Sequence, residues 1–517
     1  MGDLGFWALA HEYPDHLAVV GPDGTELTAR ELLGRANQVV HALRGFGLTE
    51  GDVVATVLPN GIEAIELYLA CLQAGWYLVP INHHLVGPEI GYILADSGAK
   101  VFVAHERFED AALLGAEEAE LASSVCLAVG EILGFNSYTR LRDNQPTTDP
   151  EHRTLGDVMN YTSGTTGKPK GVFRKLLGIT PEQGALSLSG LLFLFGIQPR
   201  DENVHIIGSP MYHTAVTRFG GASMHLGHTV VVMDKWTPEG MLALIERYQV
   251  TTSHMVPTQF HRLLELPEEV RARYDVSSVR HMIHAAAPCP VETKHKMIAW
   301  WGNAIDEYYA ASEGGGSVVT AENWLKKPGT VGTAWPNAEL AIFDDDGNRL
   351  TEPNAIGTVY MAMANSTFEY HKDKEKTDKN RIGAFFTVGD IGYIDEDGYL
   401  FLCDRKSDMI ISGGANIYPA EIEAVFHGNE KVADVAVFGI PDEDWGERVH
   451  AVVQPALGVV GDAAFEAELL AWASDKLAKF KTPKAIDFAD ELPRDPSGKL
   501  YKRKLRDPYW EGRERAI

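Results

Sequence analysis

Along the first 150 residues, apolar positions switch repeatedly between helical and strand spacing. From Leu27 to Leu48 they recur three and four apart, with Thr28 placed as a helix cap. Asp52-Val-Val-Ala-Thr-Val-Leu58 is an apolar run of strand length. Asn60-Gly61 marks a turn, Ile62 to Ala74 returns to the helical period, and Gly75-Trp-Tyr-Leu-Val-Pro80 opens another strand. This rhythm predicts a parallel sheet covered by helices. Residues 142–156 are polar, contain Pro146 and Pro150, and are predicted to form a surface loop. The α/β rhythm resumes over 172–260, with His205-Ile-Ile-Gly208 as a strand. His281-Met-Ile-His284 reads as a strand running into the turn Ala285-Ala-Ala-Pro288. After Arg405 the pattern changes, and a domain boundary is predicted there, giving domains 1–406 and 407–517. In the second, a helix is expected over Ala420–His427, strands over Val432–Gly439 and Glu447–Gln454, and a helix over Ala463–Phe480.

A chain of 517 residues is long for one domain, and 45% hydrophobic with 23% charged residues indicates a globular protein. No apolar run approaches the ~18 residues that span a bilayer, so no membrane span is expected. Met1-Gly-Asp-Leu-Gly-Phe-Trp lacks the basic-then-apolar order of a secretory leader and does not match a myristoylation site. Cys71, Cys126, Cys289 and Cys403 are scattered with no Cys-x-x-Cys pair, which fits a reducing, cytoplasmic compartment. The net charge of −26 argues against nucleic acid and anionic membranes as partners. It also means that any nucleotide site must be locally positive. Lys476 to Arg506 carries ten Lys/Arg against four Asp/Glu, which fits either a phosphate-bearing ligand or a solvated helix face.

The most informative stretch is Tyr161-Thr-Ser-Gly-Thr-Thr-Gly-Lys-Pro-Lys-Gly171. Gly164, Gly167 and Gly171 would let the backbone bend so that successive N–H groups converge on an anion. Thr162, Ser163, Thr165 and Thr166 add hydroxyls, and Lys168 and Lys170 add charge. It is not a Walker A loop, which needs Gly-x-x-x-x-Gly-Lys-Ser/Thr. Pro169 lacks an N–H, so the loop is not expected to open directly into a helix. Adjacent His83-His84 would point to opposite faces of an extended segment, which disfavours a shared metal. His281 and His284 sit on a strand with no carboxylate close behind, which is equally poor for a metal.

Thr162 to Gly171 resembles the signature loop of the adenylate-forming superfamily, which includes acyl-CoA synthetases, amino-acid adenylation domains and beetle-type luciferases. Further motifs follow in that family's order over nearly the whole chain. The resemblance implies a multidomain α/β fold: a large N-terminal domain of mixed and parallel sheets sandwiched by helices, a β-barrel-like part, and a small mobile α+β C-terminal domain. It implies that Ser209-Pro-Met-Tyr-His213 brings His213 to the acyl site, although Thr214-Ala-Val-Thr217 stands where a Gly is expected. Ala286, Ala287 and Pro288 would flank the adenine. Glu307-Tyr308-Tyr309-Ala310-Ala311-Ser312-Glu313 resembles the family's Tyr-Gly-x-Thr-Glu motif, with Ala310 for Gly and Ser312 for Thr. Glu307, Tyr308 and Tyr309 would then meet the adenine, Ser312 the α-phosphate, and Glu313 with Thr165 a Mg²⁺ ion. Asp390 would hold the ribose, and Arg405 would reach the ribose or a phosphate. Ser407 falls at the hinge, where the family usually has Asp or Lys. Ser412, Gly413 and Gly414, with Asn416-Ile-Tyr-Pro419, resemble the CoA-synthetase form of the following loop. Lys499, in Leu492-Pro-Arg-Asp-Pro-Ser-Gly-Lys499, matches the catalytic lysine.

The expected reaction is therefore ATP-dependent acyl-CoA synthesis through an acyl-adenylate, with ATP, Mg²⁺ and coenzyme A required. The Glu307–Ala310 and Phe385-Phe-Thr387 stretches look like those of synthetases for fatty, steroid-like or terpenoid acids, and Gly314-Gly-Gly316 would leave room for a bulky group. The alternatives are a ligase loading a carrier protein, a non-catalytic nucleotide-binding homologue and, more distantly, a luciferase-like oxygenase. A homodimer is compatible with the sequence.

Overall fold

The computed structural model describes residues 4–162, 169–311, 314–363, 368–494 and 500–511. It divides into two compact units. One comprises residues 1–255, 265–283 and 365–379, and the other residues 256–264, 284–364 and 380–517.

The first unit begins with helix α1 (Phe6–Glu12), strand β1 (Leu17–Val20) and helix α2 (Ala29–Arg44). Thr28 caps α2 as predicted: its hydroxyl accepts from the Glu31 N–H at 3.3 Å, and the Glu31 carboxylate accepts from the Thr28 N–H at 2.8 Å. The helix stops short of Leu48 because Gly45 closes it and Gly47 turns the chain at φ +81°. Next come β2 (Val53–Val57), α3 (Ile62–Ala74), β3 (Tyr77–Pro80), α4 (Gly87–Ser97), β4 (Ala99–His105) and β5 (Cys126–Val129). These strands form an all-parallel sheet in the order β5-β4-β2-β3, extended by 136–137 and 157–158 at its two edges. Every residue of β2 is buried, as a parallel strand covered on both faces requires. Residues 142–156 run largely at the surface, as predicted, and are anchored by specific contacts. Asn37 donates to the Thr147 carbonyl at 3.0 Å and to Asp149 at 2.9 Å, and a Cβ on Gly156 would lie 2.3 Å from the Trp76 carbonyl.

The unit continues with β6 (Tyr161–Thr162), β7 (Lys170–Phe173), β8 (Val204–Ile207), helix α5 (Thr214–His225), β9 (Thr229–Val232) and β10 (Thr252–Met255). Strands β10, β8, β9 and β1 lie side by side in a second parallel arrangement.

The second unit contains the hairpin β11 (Ile305–Ala310) and β12 (Gly316–Val319) and an antiparallel sheet built on β13 (Ala338–Phe343), β14 (Gly357–Met363), β15 (Asp390–Ile394) and β16 (Leu400–Arg405). This sheet is the expected barrel-like part. The C-terminal portion follows: hairpin β17 (Ile410–Ser412) and β18 (Ala415–Ile417), helix α6 (Pro419–His427), the long hairpin β19 (Val432–Asp442) and β20 (Gly446–Pro455), helix α7 (Ala463–Ser474), β21 (Ile486–Phe488) and the short helix α8 (Lys502–Arg506). Ile410, Ile422, Phe426, Val437 and Leu469 form its core, an α+β arrangement as predicted. Helix α7 ends six residues before the predicted Phe480, where Asp475 closes it with an N–H bond to the Ala471 carbonyl at 3.1 Å.

Candidate active site

In the first unit, β6 and β7 pair antiparallel, Thr162 opposite Lys170 and Tyr161 opposite Gly171. The Gly/Ser/Thr-rich stretch is thus the connection of a hairpin, and a strand rather than a helix follows Pro169, as its missing N–H predicts. Ser163, Gly164, Thr165, Thr166, Gly167 and Lys168 lie outside the described residues, and only the backbone of Thr162 is described. The base of the hairpin is tied down. The Tyr161 hydroxyl donates to Asp96 at 2.8 Å, and the Tyr92 hydroxyl donates to the Pro169 carbonyl at 3.2 Å. Burial, with the Asp96 carboxylate, raises Tyr161 well above the usual phenol range, so it stays a neutral donor. Lys170 lies 3.8 Å from Asp373. Gly171 is not a bend: it lies in β7, where a Cβ would press on the Tyr161 ring at 3.1 Å and the Met159 sulfur at 3.2 Å. Close packing explains this glycine.

His213 occupies the cap position before α5, with its ring 4.5 Å from that of Tyr212. The segment leading to it is held by a residue that sequence reasoning read only as a turn former. Buried Asn60 donates to the Ser209 and Met233 carbonyls, each at 3.0 Å, and accepts from the Met211 N–H at 2.8 Å. Asn160 adds a bond to the Tyr212 carbonyl at 3.2 Å. An Asn before Gly fits a turn and a buried clamp equally well, so the sequence carried no signal that separates them. His83 and His84 lie in a turn rather than an extended segment, with rings 4.5 Å apart. His83 stacks on Phe108 at 4.6 Å, and burial, with His84 beside it, pulls it down to about 4. Among the described residues no group of three or more His, Cys, Asp or Glu could hold a metal.

In the second unit, the Tyr309 hydroxyl donates to Asp390 at 2.6 Å, and the Arg405 guanidinium lies 3.5 Å from the other Asp390 oxygen. The pairing of β15 with β16 sets Asp390 directly opposite Arg405. Asp390 is nearly buried and Arg405 half-exposed, so the carboxylate is fixed between the two partners. Glu307, two residues before Tyr309 on the same face of β11, bonds the buried Lys294 ammonium at 2.5 Å. That ammonium also sits 4.7 Å from the centre of the Trp324 ring, and His284 is 3.6 Å from Glu307. Burial pushes the Glu307 carboxyl up, against the pull of Lys294. Tyr308 alternates to the opposite face and is buried. Ala286 takes a left-handed conformation, φ +74°, and is exposed. A non-Gly residue held there is the kind of strain that collects at ligand sites. Ser312 and Glu313 lie outside the described residues. Gly314 and Gly315 have φ of +120° and +76°, whereas a Cβ on Gly316 would strike the Tyr309 carbonyl at 2.2 Å. Gly316 therefore serves the β11–β12 hairpin rather than the room predicted for it.

Beyond Arg405, the Asp404 carboxylate accepts from the Ala420 N–H at 2.8 Å, and burial pushes it up to about 6. The Lys502 ammonium bonds Glu423 at 2.8 Å. Burial would lower this lysine, but Glu423, Asp404 and Asp408 together hold it charged. Ser407 is gripped through its carbonyl by Arg506 at 3.4 Å. Ser412 ends β17, and Gly413 and Gly414 form the two-residue hairpin loop with φ of +57° and +80°, a turn only glycine adopts freely. A Cβ on Gly413 would lie 2.4 Å from the exposed Trp445 ring. Lys499 lies outside the described residues.

Two mixed α/β regions, an antiparallel barrel-like sheet, a Gly-rich hairpin and a carboxylate clasped by Tyr and Arg define the fold of an adenylate-forming ligase. Comparison with known proteins agrees. The chain belongs to the AMP-binding enzyme family, which residues 6–371 match, and residues 421–499 match the AMP-binding enzyme C-terminal domain. It is 32% identical over 505 residues to a fatty acid–[acyl-carrier-protein] ligase of Streptomyces coeruleorubidus, covering 96% of this chain and 94% of that one. It is 32% identical over 494 residues to a long-chain-fatty-acid–CoA ligase of Mycobacterium tuberculosis, covering 93% of each. The ATP-bound structure of MatB from Rhodopseudomonas palustris matches with a TM-score of 0.83 at 30% identity, over 98% of this chain and 99% of that one. Ligases of this family use ATP, Mg²⁺ and CoA. No helix among the described residues is long and apolar enough to cross a membrane.

Proposed function

We propose that this enzyme is an AMP-forming acyl-CoA synthetase for a medium-to-long or otherwise bulky hydrophobic carboxylic acid, acting in the cytoplasm. The observation that carries the reading is the Tyr309–Asp390–Arg405 clasp. A fixed carboxylate with one oxygen held by Tyr309 retains lone pairs for two vicinal hydroxyls, the recognition a ribose requires. The exposed, left-handed turn at Ala286 offers backbone to a flat base with no large side chain in the way.

In the first half-reaction, a substrate carboxylate oxygen attacks the α-phosphorus of ATP, and the bond to pyrophosphate breaks. The hairpin N–H groups and hydroxyls at 162–168, Ser312 and Lys499 neutralise the charge that gathers on phosphorus. Mg²⁺, held by Glu313 and Thr165, would screen the phosphates. His213, fixed at the head of α5 by the Asn60-clamped segment, borders the acyl group. In the second half-reaction, the CoA sulfur attacks the acyl carbon, the bond to AMP breaks, and the thiol proton leaves to solvent. Residues 407–517 form the mobile domain, which swings about Ser407 to replace Lys499 with the 412–419 loop. The Streptomyces relative makes a carrier protein the alternative acceptor.

The test is pyrophosphate release with MgATP across acids from acetate to long-chain, aromatic and polycyclic, with and without CoA. One class of hydrophobic acid is expected to drive release, with AMP and thioester appearing only when CoA is added. Release that CoA leaves unchanged would move the carrier protein to first place. Lys499→Ala is expected to slow adenylation by roughly 10²–10³, and a variant that forms acyl-adenylate at the parental rate would remove Lys499 from the mechanism.

A further inference from the structure

A cavity of about 450 Å³ lies in the first unit between α1, the segment before β1, the turn at Arg200–Asn203 and the start of β9. Its volume falls within the range of small-molecule pockets, ~300–1,000 Å³. It sits at the amino ends of the parallel strands β1, β8 and β9, whereas His213 follows the carboxyl end of β8. Helix α5 runs between the two places, with His213 at its head and Met224 of the cavity wall at its foot, roughly 17 Å at 1.5 Å per residue. The cavity thus lies at the opposite end of α5 from His213.

Its wall is mostly apolar, with Phe6, Leu9, Ala10 and Met224 among its residues. Two imidazole nitrogens in that wall are unsatisfied. The side chain of His228 is fully buried, and its Nε2 lies 2.9 Å from the Gln198 carbonyl and 3.1 Å from Asp201. Both neighbours are acceptors, so in the neutral ring the proton resides on Nε2 and Nδ1 is an acceptor; that Nδ1 is buried without a partner. His16 bonds the backbone of His228, burial holds its pKa low, and its Nε2 is likewise buried without a partner. A buried acceptor left empty is costly, so such atoms usually mark a donor that binds there. The nearest cation is already engaged: Arg200 lies over the Tyr13 ring at 3.7 Å and bonds its hydroxyl. Glu202 stands beside it in the wall. The site therefore presents hydrogen-bond acceptors in an apolar chamber and offers no free positive charge to an anion. Arg200 and Glu202 both take left-handed conformations, φ +54° and +59°, an uncommon pair of strained positions in one wall.

We infer that this cavity binds a neutral, compact apolar molecule bearing a hydroxyl donor, such as a phenol or alicyclic alcohol, with its O–H directed to His228 or His16. The inference is independent of the reaction proposed above. The test uses the full chain without ATP, and 4-ethylphenol as the probe. Calorimetry is expected to give saturable one-to-one binding. Hydrogen-exchange mass spectrometry is expected to show protection within residues 6–18 and 224–232. 4-Ethylanisole, the same shape without the donor, is expected to bind about tenfold more weakly. Ala10→Phe, which fills the chamber, should abolish binding; of His16→Leu and His228→Leu, which each remove one acceptor and leave the packing, at least one should weaken it several-fold, and this pair serves if the first variant does not fold. Absence of saturable binding, equal affinity for the ether, protection confined to residues 209–217, or binding unchanged in the variants would each overturn the assignment.

Discussion

Tyr309→Phe removes one hydroxyl and leaves the ring. In the structure that hydroxyl donates to Asp390 at 2.6 Å, while Arg405 approaches the other oxygen at 3.5 Å. The Asp390 side chain keeps only 11% of its surface exposed, so water replaces the lost donor poorly. A hydrogen bond to a charged group is worth about 1.5–3 kcal/mol, and Arg405 retains part of the restraint. With that part retained, about 1–2 kcal/mol of ribose binding is lost, or roughly a 5–30-fold rise in the KM for ATP. The ribose is bound alike before and during phosphorus attack, so the loss is uniform binding and kcat should change little. The assay is pyrophosphate release at saturating acid with ATP varied, beside Asp390→Ala, which should be worse in KM. A fall in kcat at constant KM would place Tyr309 on the reacting phosphate, and an unchanged KM would detach the clasp from ATP altogether.

Other groups give equally specific outcomes. Lys294→Met strands the buried Glu307 carboxylate and should cost about 3–5 kcal/mol in urea unfolding, while Lys294→Met with Glu307→Gln should recover most of it; equal losses in the two variants would mean that the pair is not coupled. Asp404, pushed up to about 6, binds a proton in the folded chain that an unfolded aspartate near 4 has released, so its contribution favours folding below about pH 4 and fades as pH rises to 6. The stability difference between the parent and Asp404→Asn should therefore shift by on the order of 1–3 kcal/mol across that window, the variant gaining toward pH 7; a flat difference would refute it. Gly413→Ala meets both the left-handed turn and the Trp445 ring, and should slow thioester formation several-fold while leaving adenylation alone; equal loss in both half-reactions would take the hairpin out of the CoA step.

Much of this was legible because the relevant signals are local. A run such as Val53–Val57 can only be a covered strand, and Thr28 with Glu31 three residues on writes a helix start into the sequence. The order of motifs along the chain likewise reads without a structure. What the sequence concealed depends on contacts distant in the chain. Asn60 looks like a turn residue until Ser209, Met211 and Met233 arrive around it from 149 to 173 residues away. Glu307 looks like a ligand residue until Lys294 closes on it. The glycines make the same point. Gly413 and Gly414 are glycine because of their own dihedral angles, which a local reading captures; Gly171 and Gly316 are glycine because another part of the chain presses against them, which it misses.

The same distinction bears on how the candidate site works. Its proposed recognition groups are each held by further residues: Tyr309 holds Asp390, Asn60 holds the approach to His213, and Asp96 and Tyr92 hold the base of the Gly-rich hairpin. The proposed hinge is held by longer contacts. Arg506 reaches the Ser407 carbonyl at 3.4 Å and Asp408 at 3.6 Å, long contacts made by a largely covered pair. Bonds of that length are weak, as is the 3.5 Å approach of Arg405 to Asp390, whereas the 2.6 Å bond from Tyr309 to Asp390 is short. In the mechanism proposed above, these long Arg506 contacts are the ones that rotation about Ser407 would break.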